Sequence, residues 1–282
     1  MAKTEKKNIK RTGGRKNTSA RRSSSPAVGG TTPRWVYVST IITATTIALA
    51  IVYTFFFRPY FYRFRPCYGQ KRYEICLPSG FSVYGIDISR HQGNINWEKL
   101  RRENPAEAPI SFVFIKATEG RDFTDSNFEE NFIAAKQHGF LRGAYHYFST
   151  KSTGREQAQM FIKTVKLTKG DLPPMIDIEE KPKDKKKFLQ ELKTFVTLIE
   201  GHYGVKPIIY TYKKFKTRYL NDSFFEKYPS WIAHYYVDSL DEDTKWLIWQ
   251  CSDMGEIPGI PHNVDINIFN GNMEQLNSLK IK

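Results

Sequence analysis

Asp177 and Glu179 stand two residues apart in PPMIDIEE (173–180), alternating with Ile176 and Ile178. On a β-strand, side chains alternate faces, so the two acids share one face and the isoleucines the other. Like charges held that close oppose each other's ionisation, so one carboxyl keeps its proton more readily than it would alone. A protonated carboxyl beside an ionised one is what acid catalysis near neutral pH requires. Taken by itself, the stretch reads more simply as a strand running into a solvated acidic turn. The rest of the chain decides between the two.

Further acids sit in comparable places. Asp87 falls late in YGIDIS and Asp265 lies in VDINIF. Tyr145 and Tyr147 close GAYHYF, and Glu119 with Gly120 follows FIKAT. These runs belong to a series of short β-rich segments from Phe81 onward: YGIDIS, ISFVFIKAT, GAYHYF, PMIDIE, KPIIYTY, WIAHYY, WLIWQCS and VDINIF. Helical patterns separate the early ones, over 127–138, about 154–166 and 184–203. In the last, Phe188, Leu192, Phe195, Val196 and Ile199 recur at three- and four-residue spacings. FVFI and PIIY are apolar on successive residues, as strands covered on both faces are. Strand–helix alternation with about eight such strands predicts an α/β fold: a parallel sheet closed into a TIM-like barrel. The spacers between the final strands are too short or irregular for full helices, so the outer helical ring is expected to be incomplete. In such barrels chemistry is built at the carboxyl ends of the strands. Four acids from three strands can then meet at one mouth, which a solvated turn would not require.

An acidic, aromatic-lined pocket suits glycoside hydrolysis. One carboxylic acid protonates the departing oxygen, and a carboxylate or a substrate group stabilises the oxocarbenium-like ring. Tyr145, Tyr147, Tyr210, Trp231, Tyr235 and Trp249 are candidates to stack on sugar rings, Tyr147 and Trp231 ahead of Phe112 or Phe114 because of their polar neighbours near strand ends. No Ser/His or Cys/His nucleophile arrangement stands out, and no cofactor is expected. The three cysteines and six histidines show no metal-ligand spacing, and no loop carries alternating Asp/Asn at calcium-ligand spacing. A non-catalytic glycan-binding barrel and a hydrolase of another acetamido-sugar polymer such as chitin remain as alternatives.

The net charge of +14 is unevenly spread. Residues 1–34 hold ten Lys/Arg against Glu5, residues 35–80 five against Glu74, and residues 81–282 hold 28 basic against 27 acidic groups. The globular part is close to neutral, and nucleic-acid binding by it is disfavoured. The Gly/Ser/Thr/Arg-rich first 34 residues cannot bury enough apolar surface to order themselves, so a disordered cytoplasmic tail is expected. Residues 35–57 contain no charge over 23 positions, enough to cross a bilayer, with Trp35 and Tyr37 at one interface and Phe55, Phe56, Phe57, Tyr60 and Tyr62 at the other. Ser39, Thr40, Thr43, Thr45 and Thr46 can bond to the helix's own carbonyls. The run exceeds a signal peptide's apolar region of about 7–15 residues, so an uncleaved anchor is expected. Basic residues before it place the N-terminus in the cytoplasm and the rest outside, in the periplasm or at the cell surface. Residues 58–80 then form a connector in which Cys67 and Cys76 could pair, and Cys251 looks like a small buried residue.

Taken together, YGIDISRHQGNINW (84–97), FVFIKATEGRDFTDSNFEENFIAAKQHGFLRGAYHYF (112–148), PPMIDIEE, IIYT (208–211), WIAHYY (231–236) and VDINIFNG (264–271) resemble glycoside hydrolase family 25, the N-acetylmuramidase lysozymes. The likeness covers about residues 82–272, most of an expected catalytic domain at 81–282. It implies a flattened (β/α)5(β)3 barrel that cuts β-1,4 bonds in peptidoglycan between N-acetylmuramic acid and N-acetylglucosamine. Position by position, it makes Glu179 the proton donor. Asp177 becomes the carboxylate that steers the substrate's acetamido group, and Asp87 and Asp265 the other acids of the cleft. Tyr147, Tyr210, Trp231 and Gln250 fall where the family lines its sugar groove. Retention through the acetamido group and inversion by a water are both compatible with the spacing. No wall-binding repeat follows residue 272, and the apolar span suggests a hydrolase held at the membrane's outer face instead.

Overall fold

A computed structural model of the chain describes residues 33–57, 67, 70–235 and 237–282. The expected basic tail lies outside the described residues up to position 32, as do Tyr60 and Tyr62. The described part forms two units, divided after Phe57.

In the first unit an α-helix, Arg34–Val52, runs on into a π-helical turn, Tyr53–Phe57. Its large apolar side chains, Trp35, Ile41, Leu49 and Phe55 among them, are exposed. The hydroxyls of Ser39, Thr40 and Thr46 donate to carbonyls three or four residues back within the helix. Among the described residues this is the one helix long and apolar enough to cross a membrane.

The second unit is built on strands β1 (Gln70–Arg72), β2 (Ile75–Leu77), β3 (Tyr84–Ile88), β4 (Ile110–Glu119), β5 (Phe123–Thr124), β6 (Leu141–Tyr147), β7 (Met175–Asp177), β8 (Ile208–Tyr212), β9 (Ser230–Ala233), β10 (Ile248–Gly255) and β11 (Val264–Phe269). Strands β3, β4 and β6 through β11 close a barrel through the β3–β4 pairing. Seven run parallel; β11 is antiparallel to both its neighbours, β10 and β3. Helices Trp97–Arg102, Phe128–Gln137, Gly154–Thr164, Lys185–Tyr203 and Lys213–Tyr219 follow the first five barrel strands; no helix separates β9, β10 and β11 from one another, and the short helix Met273–Ser278 comes after the last of them. This is the (β/α)5(β)3 order expected from the sequence.

Two apolar layers follow from strand alternation. Ile86, Val113, Ile115, Ile176, Ile178 and Ile209 face the helices. Phe112, Phe114, Met175, Ile208, Trp231 and Ile248 fill the barrel. The helix Lys185–Tyr203 begins where the Asp184 carboxylate accepts from the Lys187 amide, and it ends at the left-handed Gly204. It buries the five residues whose spacing marks it, and Phe195 stacks on His146 of β6 at 4.7 Å.

Inside the barrel the two phenylalanines of β4 need room that their neighbours give up. A Cβ at Gly85 would lie 2.3 Å from the Phe112 ring, and one at Gly143 would lie 2.3 Å from Phe114. Phe114 cannot retreat, because it packs edge-on against Trp231 at 4.9 Å. Gly143→Ala is therefore expected to cost about 1–3 kcal/mol by overpacking. Urea unfolding of residues 58–282 would read this as a lower midpoint at unchanged slope.

The boundary expected between residues 80 and 81 falls inside the packed unit. Leu77 is fully buried in the outer layer. The Tyr73 hydroxyl donates to the Ala108 carbonyl at 2.7 Å, and the Glu256 amide donates to the Tyr73 carbonyl at 2.9 Å. The β1–β2 hairpin thus belongs to the folded domain. A Cys67–Cys76 disulfide ties it down, and Cys251 is free and buried.

Candidate active site

The carboxyl ends of the parallel strands and the start of β11 open on the same mouth, and the acids collect there. Asp87 and Asp265 are direct partners across β3 and β11. Because β11 runs antiparallel, a residue near its beginning meets residues near the ends of the others. Asp177 closes β7, in register with Tyr147 on one side and Tyr210 on the other. Two steps on, Glu179 keeps the same side, since Ile176 and Ile178 lie in the outer layer. Its neighbour Glu180 turns away to accept from the Ser149 hydroxyl at 3.0 Å and the Thr150 amide at 2.8 Å.

Asp87 is the most firmly held of the four. Its Oδ2 accepts from Gln250 Nε2 and from Asn267 Nδ2, both at 2.8 Å. Gln250 Oε1 accepts from the hydroxyls of Tyr210 at 2.7 Å and Tyr235 at 2.5 Å. Asn267 Oδ1 accepts from the Trp231 indole at 3.0 Å. An indole N–H can only donate, so it fixes the Asn267 amide with its NH₂ toward Asp87. Asp177 is treated differently: its Oδ1 is buried and has no hydrogen-bond partner among the described residues.

Burial pushes all four acids toward the neutral form, and neighbouring carboxylates add to it at Asp177, Glu179 and Asp265. For Asp177 burial is the largest cause, followed by the charges of Glu179 and Asp87, and its pKa stands well above the ordinary range. Glu179 is raised by burial and by Asp87, and lowered by the nearby Tyr210 hydroxyl and by Lys116. Asp87 is pushed up to about 6 by burial, against the two amide donors that favour its ionised form. Asp265 is pushed up to about 9 by burial and by Asp87, Asp253 and Glu179. Each group feels the others, so the four titrate as a set. Such a set holds protonated and ionised carboxyls side by side, the equipment of general acid–base catalysis.

Not every aromatic expected in the groove is there. Tyr147 lies at the mouth, half-buried. Tyr145 and Tyr210 form the floor beneath the acids, and Tyr235 closes the Gln250 side. Trp231, expected to offer a stacking face, is fully buried between Phe114 and Tyr210 and acts on the site through Asn267. The next inward position toward the mouth on β9 is Ala233, so Trp231 sits one layer deep. Trp249 faces the outer layer, packed against Phe81 and Trp246.

Two residues not singled out from the sequence belong to the site. Lys116 continues the inward series Phe112, Phe114 and reaches the mouth. There its Nζ pairs with Glu119 at 2.7 Å and lies 5.0 Å over the Tyr147 ring. Asn267 is the next inward residue after Asp265. Alternation alone could have flagged both. Among the described residues no group of three or more His, Cys, Asp or Glu side chains is placed to hold a metal ion.

Residues 86–260 match the model of the family described as glycosyl hydrolases family 25. The protein YegX of Escherichia coli is 38% identical over 219 residues, covering 77% of this chain and 79% of its own. Lysozyme M1 of Streptomyces globisporus is 31% identical, covering 70% of this chain and 71% of its own. Among solved structures, a family 25 glycosyl hydrolase from Bacillus anthracis superposes with a TM-score of 0.65 at 32% identity, covering 71% of this chain and 94% of its own. The bacterial lysozyme from Streptomyces coelicolor gives 0.64 at 30% identity, with 71% and 97% covered.

Proposed function

The chain belongs to the glycosyl hydrolases family 25, and from that membership we propose how its four acids divide the cleavage of peptidoglycan between them. The protein is a glycoside hydrolase of the lysozyme type, acting on the β-1,4 bond between N-acetylmuramic acid and N-acetylglucosamine. Glu179 gives its proton to the glycosidic oxygen as the bond to the anomeric carbon breaks. Asp177, on the same rim, holds the substrate's acetamido group so that its carbonyl oxygen covers the electron-poor carbon. Water then adds at that carbon and returns a proton to Glu179, which restores the starting state. Asp87, whose ionised form its two amide donors favour, helps hold Glu179 neutral, and Asp265 helps to orient the sugar. The observation that carries this reading is the convergence of Asp177 and Glu179 with the amide-anchored Asp87 at one mouth.

The test is chemical. Purified peptidoglycan digested with the protein and reduced with borohydride should yield new muramic-acid alcohol ends. Glucosamine alcohol ends would assign the cut to the other bond, and no new ends would leave only binding.

The apolar helix Arg34–Phe57 fits a membrane anchor or a signal sequence. We propose the anchor, with the basic N-terminus in the cytoplasm and the hydrolase outside, where peptidoglycan is found and the Cys67–Cys76 bridge can persist. A reporter fused after Lys282 should be active only outside the cytoplasm; activity inside would reverse the orientation.

A further inference from the structure

A groove of about 730 Å³ leaves the acid cluster at Glu179, and its chemistry is opposite to that of the cleft. Its walls include Glu179, Tyr212, Lys214, Thr217, Arg218 and His234. The helix Lys213–Tyr219 turns Phe215 into the core, which leaves Lys214, Thr217 and Arg218, spaced three and four apart, on one exposed face. The neighbouring cations of this helix are already engaged. Lys213 pairs with Asp241, and Lys216 donates to the Ser230 hydroxyl and the Lys245 carbonyl. Lys214 and Arg218 have no carboxylate within ion-pair distance among the described residues.

The segment after Glu179 adds to this wall. Lys181 and Lys183 are exposed, and Lys185 donates to the Arg218 carbonyl at 3.0 Å, bringing the two segments together. Residues 181–187 and 213–218 hold nine cations and one acid, Asp184, in a domain whose charges as a whole nearly cancel. A neutral polymer such as chitin gives this wall nothing to bind. A muramic acid residue carries a lactyl arm that ends in a carboxylate or in a peptide bearing carboxylates.

We propose that the groove beyond Glu179 is a carboxylate-reading subsite, in which Lys214 and Arg218 bind the lactyl-peptide arm of the muramic acid residue at the cut. The proposal rests on the reading of the protein as a muramidase and adds the part of the substrate that sets its preference. Exposed cations of this kind act through attraction over several ångströms, screened by salt, more than through one fixed contact. Their effect therefore falls on KM.

The experiment compares the full chain with Lys214→Gln/Arg218→Gln on three soluble glycan preparations: peptide-bearing strands, amidase-stripped strands that keep only the lactyl carboxylate, and peptide-bearing strands whose carboxyls have been converted to neutral amides. On the first, the double variant should raise KM about 3–10-fold, as expected for the loss of two exposed charge pairs. On the amidated strands, wild type and variant should share one high KM. Lys214→Arg/Arg218→Lys should restore the wild-type value. Retention of the difference on stripped strands assigns the contact to the lactyl carboxylate, and its loss there assigns it to the peptide; either supports the subsite. Equal KM values for wild type and variant on peptide-bearing strands, with muramic-acid ends still released, would overturn the subsite and leave the muramidase reading standing. An inactive wild type would remove both.

Discussion

Glu179→Gln is expected to lower kcat on peptidoglycan by about 10²–10⁴-fold, the contribution of a positioned general acid, while binding of glycan strands and thermal stability stay close to wild type. Glutamine matches the carboxyl in shape but has no proton to deliver to a departing sugar oxygen. Glu180→Gln is the matched control, because Glu180 is held by Ser149 and Thr150 away from the cleft. The pH profile makes the assignment sharper. A proton donor works only while protonated, so activity should fall as pH rises through the Glu179 pKa. Burial and the nearby Asp87 raise that pKa, which moves the alkaline limb above the range of an ordinary glutamate. The residual activity of the variant should lack this limb. Activity of Glu179→Gln within a few-fold of wild type would remove the assigned acid.

Much of this arrangement is legible in the chain because alternation does two jobs. In FVFIKATE it separates inward Phe112, Phe114 and Lys116 from outward Val113, Ile115 and Ala117. In MIDIE it puts both acids on the barrel side. Periodicity and an Asp cap give the helix Lys185–Tyr203 almost to the residue. What alternation cannot give is depth. Tyr210 and Trp231 are register partners pointing inward, yet whether a ring reaches the groove depends on strand stagger around the barrel, which no single strand encodes. Trp231 is consequently support and not surface. Parity also decides against Trp249, since Ile248 and Gln250 take the inward positions on β10. The β1–β2 hairpin escapes notice for another reason. Tyr73, Ile75 and Leu77 are few and set among polar residues, and only their long-range contacts with the barrel make them core.

Asp265→Asn should make the protein more stable at pH 8 and a poorer enzyme. In the folded state burial, together with Asp87, Asp253 and Glu179, pushes the Asp265 carboxyl up to about 9. An aspartate in the unfolded chain loses its proton near pH 4. Below about pH 4 both states hold the proton, and the site's full contribution to stability is present. As pH rises, the unfolded chain ionises freely while the folded one must keep its proton or hold a crowded charge, so stability drains away until pH passes the folded value near 9. Asparagine ionises in neither state and escapes this loss. Water entry and rearrangement of neighbouring charges reduce the cost, so the expected gain at pH 8 is about 1–3 kcal/mol, shrinking toward zero at pH 4. Urea unfolding of residues 58–282 at both pH values measures it, and a gain equal at the two, or a loss at pH 8, would show that crowding at this position is not what strains the fold. A gain in stability with a fall in kcat would mean that the chain retains a destabilising acid for its chemistry, the exchange seen where an active site works against folding.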